Sequence, residues 1–568
     1  MTDKTGRFGL IEQLLADGID HMFGNPGTVE QGFLDSLESY PEFKYILTLH
    51  ETVAVGIADG YARATQKPAV VQLHSGVGLG NGIGMMYQAM RGHAPLVIVA
   101  GESGIRYDAT DAQMAADLVA MARPVTKWAT RVVHPSSLLR VLRRAIKMAA
   151  TPPAGPVFVC LPMDILDAMV EEAVIPTSFP VTRVAPEPEV VQRMADVLAA
   201  AGRPMIIMGD GIAYSGAQQA LARVSELTGA AVWGADSSEV NMSYRHPQFM
   251  GQLGHMFGEH SRAITSQADA VLICGTYVFP EVFPALQGVF APEAKVFHVD
   301  LAAYEIAKNF PVDLGVVADP KATLERLSDT LERTMSQDQK QAARARAESL
   351  AAAQRQQLEQ QMEADRAVRD SMPLKASRFM EELAAQLPHD AIVFDEALTC
   401  SPDLTRYFPP EIPGHFFQTR GGSLGVGIPG ALGIKLARPD KTVVGLTGDG
   451  GSMYTIQALW TAARYGIGAK LVICNNHSYK LLKVNIQQYW RERGIEEHAF
   501  PQSFDLSHPD IRFDQLAMSM GVPAVRVETP AQVAPAIRQA LDHDGPFVID
   551  LVVAPEVPGE KVYVKCGQ

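Results

Sequence analysis

A regular alternation of short apolar runs with helical segments constrains the fold of this chain more than any other feature. Between positions 8 and 162, helical stretches such as FGLIEQLLADG alternate with the apolar runs YILTL, AVVQLHS, LVIVAG and VFVCLP. Short runs of this kind are typical of strands buried on both faces, and the intervening helices allow parallel connections. The pattern predicts an α/β fold with doubly wound parallel sheets.

The same rhythm continues through three successive units, as expected for 568 residues, which are too many for one hydrophobic core. A proline-rich stretch, VEEAVIPTSFPVTRVAPEPE, separates the first unit from the second. Before the third unit lies a segment without Gly or Pro, which we interpret as a helical connector, with a coiled-coil helix as the alternative. The predicted domains are 1–180, 190–345 and 373–568, with the connector at 346–372.

Composition limits the classes of partner. The formal net charge is -14, and nucleic acids and anionic membranes both favour clustered Lys and Arg. The N-terminus lacks the apolar core of a signal peptide, and we find no apolar run of about 18 residues for a membrane helix. We therefore expect a cytoplasmic protein that acts on small molecules, without nucleic-acid or membrane partners.

Polar residues follow two apolar runs in GDGGSMYTIQALWTAARYGIGAKLVICNN, which spans positions 448–476. Asp449 follows VVGLTG, and Asn475 and Asn476 follow LVIC, with enough chain between them for a helix that returns to a neighbouring strand. Asp449, Asn476 and a backbone carbonyl would make the hard oxygen ligands that Mg²⁺ prefers. The glycines around Asp449 would let backbone N–H groups approach a diphosphate. For a lone GDG, a glycine turn with an Asn cap is the alternative.

This stretch resembles the cofactor-binding motif of the thiamine diphosphate (ThDP) enzymes, which begins with GDG and ends with NN after a similar interval. A distant segment, LTLHETVAVGIADGYARA, resembles the one that supplies the family's cofactor-activating glutamate, here Glu51. The resemblance extends from GNPGT at Gly24 to PFVIDLVV near the C-terminus. It implies ThDP and Mg²⁺ as cofactors, and pyrimidine-binding, central and diphosphate-binding domains in that order.

Within the family, GNPGT, LHSGVGLGN and ALWTAARY most resemble segments of the benzoylformate decarboxylases. The resemblance implies that Glu51 hydrogen-bonds the pyrimidine N1′ and that Leu424 is the apolar wedge that keeps the cofactor bent. Asp449, Asn476 and the carbonyl of Ser478 would bind Mg²⁺. The glycine-rich stretch around Leu424 could also be only a turn that enters a helix. The implied cofactor-binding residues are Asn25, Pro26, Gly27, Glu51, Gly422, Ser423, Leu424, Gly448, Asp449, Gly450, Gly451, Ser452, Asn476, Ser478 and Tyr479.

The catalytic residues implied by the resemblance are Glu51, His74, Ser75 and Thr28. His74 would match the family's active-site histidine, a proton donor or acceptor, although a structural histidine is the alternative. Thr28 lies where benzoylformate decarboxylase has a serine that meets the substrate carboxylate. A threonine that stabilises the turn is the alternative there.

Two departures from the family pattern affect the substrate side. Val282 stands where benzoylformate decarboxylase has a second catalytic histidine. After Asn476 the segment HSYKLLK places Lys480, Leu481 and Lys483 where the relative has a smaller, apolar lining. These lysines are either surface residues or contacts for an anionic substrate, such as one with a second carboxylate or a coenzyme A phosphate.

The sequence therefore predicts a ThDP- and Mg²⁺-dependent lyase that decarboxylates a 2-oxo acid to an aldehyde, with carboligation as a further activity. The alternatives are a 2-hydroxyacyl-CoA lyase, an oxalyl-CoA decarboxylase or an acetolactate synthase-like carboligase. A noncatalytic protein with this fold is disfavoured because Glu51, Asp449 and Asn476 are all present. In the family, the two halves of one cofactor bind different chains, so a homodimer is the minimum and a homotetramer is expected.

Overall fold

The computed structural model describes residues 4–254, 256–279, 281–555 and 557. It divides into two compact units. One unit consists of Met1–Pro180, Met372–Ser401 and Thr419–Gln568, and the other of Val181–Ser371 and Pro402–Gln418. Each of the three predicted domains contains a parallel sheet, which confirms the α/β fold class.

The first domain contains a six-stranded sheet whose strands all run parallel. Two of its central strands are buried along their whole length and are apolar except for Glu102, as expected for a sheet covered by helices on both faces. In spatial order the strands are Lys44–Leu47, His21–Gly24, Ala69–His74, Leu96–Glu102, Val157–Pro162 and Trp128–Arg131. The helices are Gly6–Ala16, Gln31–Ser36, Glu51–Thr65, Ser75–Arg91, Leu118–Ala122, Leu138–Ala150 and Met163–Asp167. A short antiparallel pair joins Lys4–Thr5 to Met169–Val170.

The third domain repeats this design. Its parallel strands, in spatial order, are Ile392–Glu396, Val443–Gly448, Lys470–Asn475, Phe547–Val552 and Ala524–Val527. The helices are Ala376–Gln386, Gly427–Ala437, Asp449–Ser452, Ala458–Tyr465, Lys480–Arg493, Phe513–Ser519 and Pro530–Asp542. A helix at Ser401–Tyr407 and a short strand at Phe416–Gln418 lie along the chain between the first two of these strands.

The central domain has its own parallel sheet and core. The strands, in spatial order, are Phe249–Gln252, Ala231–Gly234, Pro204–Met208, Ala270–Cys274, Lys295–Asp300 and Leu314–Val317. The helices are Pro188–Ala200, Gly211–Ser215, Gln218–Thr228, Glu259–Thr265, Pro320–Thr334 and Gln337–Ala367.

The segment without Gly or Pro forms the 31-residue helix Gln337–Ala367, which begins with a capping box between Ser336 and Gln339. Ala343 joins the buried core of the central domain, and the Arg346 guanidinium donates to the carbonyl of Thr228 at 2.7 Å. The helix therefore packs on the central domain near its N-terminal end. In the part of the chain that the structure describes, no helix is both long and apolar enough to cross a membrane.

Helices Glu51–Thr65 and Gly427–Ala437 pack against each other at backbone distance within the first unit. A Cβ atom added at Gly60 would lie 2.0 Å from the carbonyl oxygen of Gly430. One added at Gly433 would lie 1.9 Å from the carbonyl oxygen of Ile57. Glycine is therefore required on both helices, and this contact joins the first domain to the third.

We expect Gly60→Ala to lower the free energy of unfolding by about 1–3 kcal/mol or more, because the new methyl group forces the helices apart. Gly80→Ala is the matched control, since the nearest atom to its added Cβ is 3.9 Å away. Replacing this helical glycine should be neutral or stabilise by about 0.5–1 kcal/mol. Chemical denaturation followed by circular dichroism compares the two. Equal stability of both variants would contradict the close helix contact.

Candidate functional site

Asp449 lies directly after the strand Val443–Gly448 and is buried. Its Oδ1 accepts a hydrogen bond from the Gly450 N–H at 2.7 Å. Its Oδ2 accepts from the N–H groups of Asn476 and Ser478 at 3.1 and 3.2 Å. The structure thus brings the GDG turn and the NN turn together at the carboxyl ends of two adjacent strands.

The two asparagines of the NN pair face different surroundings. The Asn475 amide donates to Asp550 Oδ1 at 3.1 Å, and Arg526 donates to the other oxygen of the same buried carboxylate at 2.9 Å. Asn476 Oδ1 instead accepts from the N–H and the hydroxyl of Ser478, both at 3.0 Å. Asn475 therefore fixes the strand to the sheet, whereas Asn476 belongs to the turn beside Asp449.

The residues of this turn suit a divalent cation and a diphosphate. Burial raises the pKa of Asp449 to about 6, although the surrounding backbone N–H groups act in the opposite direction. A carboxylate, an amide oxygen and a backbone carbonyl are hard ligands, and Mg²⁺ usually takes its remaining ligands from phosphates and water. A Cβ added at Gly448 would meet no atom within 4 Å, so the backbone there is open to a ligand. At Gly450 the added Cβ would lie 2.4 Å from the ring of Tyr479, so a side chain there would displace that ring.

The loop before helix Gly427–Ala437 has positive φ angles at Gly421, Gly422 and Gly425, of 65°, 71° and 95°. Side chains are strained in this region, so the loop conformation depends on glycine. The Ser423 hydroxyl donates to the carbonyl of Gly84 at 3.0 Å. The predicted wedge residue, Leu424, is therefore carried by a loop that also contacts the first domain.

Glu396 is a buried carboxyl group that the sequence analysis missed. It ends the strand Ile392–Glu396 and accepts hydrogen bonds from the N–H groups of Gly425 and Gly427 and from the Thr447 hydroxyl. Burial raises its pKa to about 7, and these donors act against that shift. The only sequence signal was an acidic residue at the end of an apolar strand.

Glu51 begins the helix Glu51–Thr65 and is buried. One carboxylate oxygen accepts from the Asn25 amide at 3.1 Å and the other from the Asn81 amide at 3.0 Å. A Cβ added at Gly78 would lie 3.0 Å from Glu51 Oε1, so the neighbouring helix also approaches closely. The two amides fix the orientation of the carboxylate. Asn81 was not predicted, although it lies in the same Gly-rich segment as His74.

His74 ends the strand Ala69–His74 and pairs with a buried carboxylate that the sequence analysis also missed. The imidazole Nδ1 lies 2.9 Å from Glu30 Oε2, and Glu30 Oε1 accepts from the Gly101 N–H at 3.0 Å. Burial raises the pKa of Glu30, and the histidine opposes this shift. A Cβ added at Gly27 would lie 1.9 Å from His74 Nδ1, so the GNPGT turn needs its glycine to accommodate the ring.

The two predicted hydroxyl groups differ in exposure. Thr28 is exposed at the start of a short 3₁₀ helix. Ser75 is buried, has a φ of 51°, and donates its hydroxyl hydrogen to the carbonyl of Met114 at 3.0 Å. Thr28 is therefore accessible to a ligand, whereas the Ser75 hydroxyl is engaged with the backbone.

The residues proposed to select the substrate belong to two different units, with three of them on helix Lys480–Arg493. The Lys480 ammonium donates to the carbonyl of Ala554 at 3.1 Å, and the Lys483 ammonium lies 5.4 Å from the centre of the Phe500 ring. Leu481 is half-buried at the start of the same helix. Val282 is 57% exposed and belongs to the central domain.

Among the described residues, no hydrogen bond joins the Glu51 cluster to the Asp449 cluster. The two amides that donate to the Glu51 carboxylate both belong to the first domain. That a second subunit brings the two halves together stays a prediction.

Comparison with known proteins identifies the family. Three models match the chain: thiamine pyrophosphate enzyme, N-terminal TPP binding domain, at 4–121; the central domain at 191–327; and the C-terminal TPP binding domain at 398–551. A putative acetolactate synthase large subunit of Mycobacterium tuberculosis is 30% identical, over 96% of this chain and 99% of that protein. The chain belongs to the thiamine pyrophosphate enzyme family.

Other relatives of this thiamine pyrophosphate enzyme are decarboxylases. Benzoylformate decarboxylase of Pseudomonas aeruginosa is 29% identical, over 96% of this chain and 98% of that protein. The structure of a thiamine diphosphate-dependent 4-hydroxybenzoylformate decarboxylase of Rhodococcus jostii aligns with a TM-score of 0.84 at 25% identity, covering 97% of this chain and all of the other. The predicted family and its enzymatic character are confirmed. Both decarboxylases and acetolactate synthases are similar to this chain.

The different surroundings of Asn475 and Asn476 predict different consequences of their removal. Asn475→Ala should lower the free energy of unfolding by about 1–3 kcal/mol, because the buried Asp550 carboxylate loses a donor. Asn476→Ala should cost less stability, about 0.5–1.5 kcal/mol, because its contacts lie within one turn. Urea unfolding of both variants without added cofactor measures the difference. The reverse order of stability would contradict these separate roles.

Proposed function

We propose that this enzyme decarboxylates a 2-oxo acid of the benzoylformate type to an aldehyde, with carboligation as a further activity. The observation that carries the proposal is the His74–Glu30 pair, which lies at a strand end in the same domain as the buried Glu51 cluster. The His74 imidazole could then donate or accept a proton, and the Glu51 carboxylate is held in a fixed orientation. The similarity to benzoylformate decarboxylase over nearly the whole chain supports the same reaction.

When bound, ThDP supplies the nucleophilic carbon and the electron sink that decarboxylation requires. Glu51 would hydrogen-bond the pyrimidine nitrogen N1′, and the amides of Asn25 and Asn81 would hold its carboxylate in place. Asp449, the Asn476 side chain and the Ser478 carbonyl would hold Mg²⁺. The donor set and the open backbone at Gly448 fit that metal and a diphosphate.

The substrate would meet His74 and Thr28. With Glu30 ionised, its carboxylate would accept from the Nδ1–H of His74, which would leave Nε2 of the imidazole to exchange a proton with the substrate. The exposed hydroxyl of Thr28 would donate to the substrate carboxylate. The Ser75 hydroxyl donates to the carbonyl of Met114, so Ser75 would position the backbone next to His74 and would not contact the substrate through its hydroxyl. Val282 cannot transfer a proton, so this task would fall to His74 or to water.

An acetolactate synthase-like carboligase is the second candidate, because a putative acetolactate synthase is similar at 30% identity. A 2-hydroxyacyl-CoA lyase and an oxalyl-CoA decarboxylase are further alternatives, supported by the cationic residues Lys480 and Lys483. In each case the enzyme would act in the cytoplasm. It would assemble at least as a homodimer and, we expect, as a homotetramer.

A substrate screen tests the reaction. The purified protein with ThDP and Mg²⁺ is tested for CO₂ release from benzoylformate, branched and short-chain 2-oxo acids and oxalyl-CoA, and for aldehyde release from 2-hydroxyacyl-CoA. Benzoylformate should be the best substrate and yield benzaldehyde. Acetolactate formed from pyruvate, or turnover only of a CoA thioester, would instead establish one of the alternatives.

Glu51→Gln should lower kcat with the best substrate by at least about 100-fold, because the amide cannot exchange a proton with the cofactor. Glu528→Gln makes the same chemical change at an exposed residue and should retain the original rate. Steady-state kinetics at saturating ThDP measures both. Unchanged turnover in Glu51→Gln would refute its role in activating the cofactor.

Metal binding should depend on pH through Asp449. Its carboxyl group is protonated and neutral below its pKa of about 6, so it loses its charge as a metal ligand. Affinity for Mn²⁺, used in place of Mg²⁺ and without ThDP, should be about tenfold weaker at pH 5 than at pH 7. Electron paramagnetic resonance measures the free ion. Asp449→Asn should bind weakly at both pH values, and a full pH dependence in that variant would exclude Asp449 as its source.

A further inference from the structure

Glu396 contacts two segments that the sequence analysis assigns to cofactor binding. Its side chain is buried, with 1% of the residue exposed. Gly425 and Gly427 follow Leu424 in the chain, and their N–H groups donate to the Glu396 carboxylate, that of Gly427 at 2.6 Å. It also accepts from the Thr447 hydroxyl at 3.2 Å, two residues before Asp449. One carboxylate thus contacts both the Leu424 loop and the strand that leads to the metal turn.

The Leu424 loop, residues 421–427, packs directly on this carboxylate. A Cβ added at Gly427 would lie 2.7 Å from Glu396 Oε2, so no side chain fits between them. The carbonyl of Gly425 in turn accepts from the Thr455 hydroxyl at 2.6 Å. Both polar backbone groups of Gly425 are therefore held by the third domain.

A loop of this composition needs such contacts to keep one shape. Three of its glycines have positive φ angles, and glycine loses more conformational freedom on ordering than any other residue. If the loop were ordered only when ThDP binds, that ordering would weaken the affinity. A buried backbone N–H group that loses its acceptor costs free energy, so each contact with Glu396 favours the ordered loop. The Glu396 contacts thus order the loop in the protein alone.

The geometry points to Glu396 as a positioning residue that holds the Leu424 loop in its cofactor-binding shape before ThDP arrives. This inference rests on the proposed function, since the loop is taken to support the cofactor through Leu424. Glutamine at this position keeps one acceptor oxygen but turns an NH₂ group toward a backbone N–H. One of the two loop contacts must then be lost, while the size of the side chain is unchanged.

The test measures loop protection and cofactor affinity in the full-length protein. Hydrogen–deuterium exchange of the peptide covering 421–428, without cofactor, should be about tenfold or more faster in Glu396→Gln than in the original protein. Calorimetry in the presence of Mg²⁺ should show ThDP binding weakened by about tenfold or more. Glu528→Gln, with the same change at an exposed carboxylate of the same domain, should alter neither quantity.

The outcomes separate the inference from the proposed function. If the original protein does not bind ThDP, the proposed function fails, and the inference that rests on it fails too. If it binds ThDP but Glu396→Gln shows unchanged loop exchange and affinity, only the positioning role of Glu396 is wrong. Faster exchange across the whole domain, including strand Phe547–Val552, with unchanged affinity would show a general structural role and also overturn the inference.

A second variant covers the case in which Glu396→Gln does not fold, as judged by circular dichroism and gel filtration. Thr447→Val removes one donor to the same carboxylate and nearly preserves the side-chain shape. It should increase exchange in the 421–428 peptide by a smaller factor, about two- to tenfold, and leave strand Phe547–Val552 protected. Unchanged exchange of the loop in this variant would overturn the inference.

Discussion

The close approach of helices Glu51–Thr65 and Gly427–Ala437 is the contact on which the arrangement of the first unit depends. Gly60 and Gly433 leave no space for a side chain between the backbones, so the separation of the helices is fixed within narrow limits. Glu51 is the first residue of one helix, and the Leu424 loop leads into the other. The contact that joins the two domains therefore also sets the positions of Glu51 and of the Leu424 loop.

Around this contact, the predicted ligand-binding residues His74 and Asp449 lie at the carboxyl ends of parallel strands, where open α/β sheets bind ligands. In the first and third domains, a buried carboxyl group supports the segment that would contact the ligand. Glu30 holds His74, and Glu396 holds the backbone of the Leu424 loop. Burial raises the pKa of both carboxyl groups, because charge is unfavourable in these surroundings unless donors compensate. The enzyme thus uses the buried carboxyl groups of Glu30 and Glu396 to orient His74 and the Leu424 loop.

Sequence reasoning predicted the parts of the site that are encoded locally. Asp449 and Asn476 follow apolar strands at a spacing that brings neighbouring strand ends together, and the structure joins them by hydrogen bonds. Glu30 and Glu396 could not be found in this way, because the groups they contact lie 29 or more residues away along the chain. The roles of these two glutamates depend on which strands are neighbours in the sheet and on how deeply the carboxyl groups are buried. Neither property has a short sequence signature. The three sheets, by contrast, follow from apolar runs that are visible along the whole chain.

The Asn475 anchor has a consequence for how this part of the chain can vary. Its amide reaches Asp550 across the sheet, whereas the next residue turns outward beside Asp449. Since successive residues of a strand point to opposite sides, adding or deleting one residue in Lys470–Asn475 would exchange these two positions. The contact between Asn475 and Asp550 therefore fixes the register of this strand. Substitutions on helix Lys480–Arg493, which follows the turn, leave this Asn475–Asp550 contact unchanged. If this helix lines the substrate, as the sequence analysis predicts, substrate preference can change without disturbing the strand.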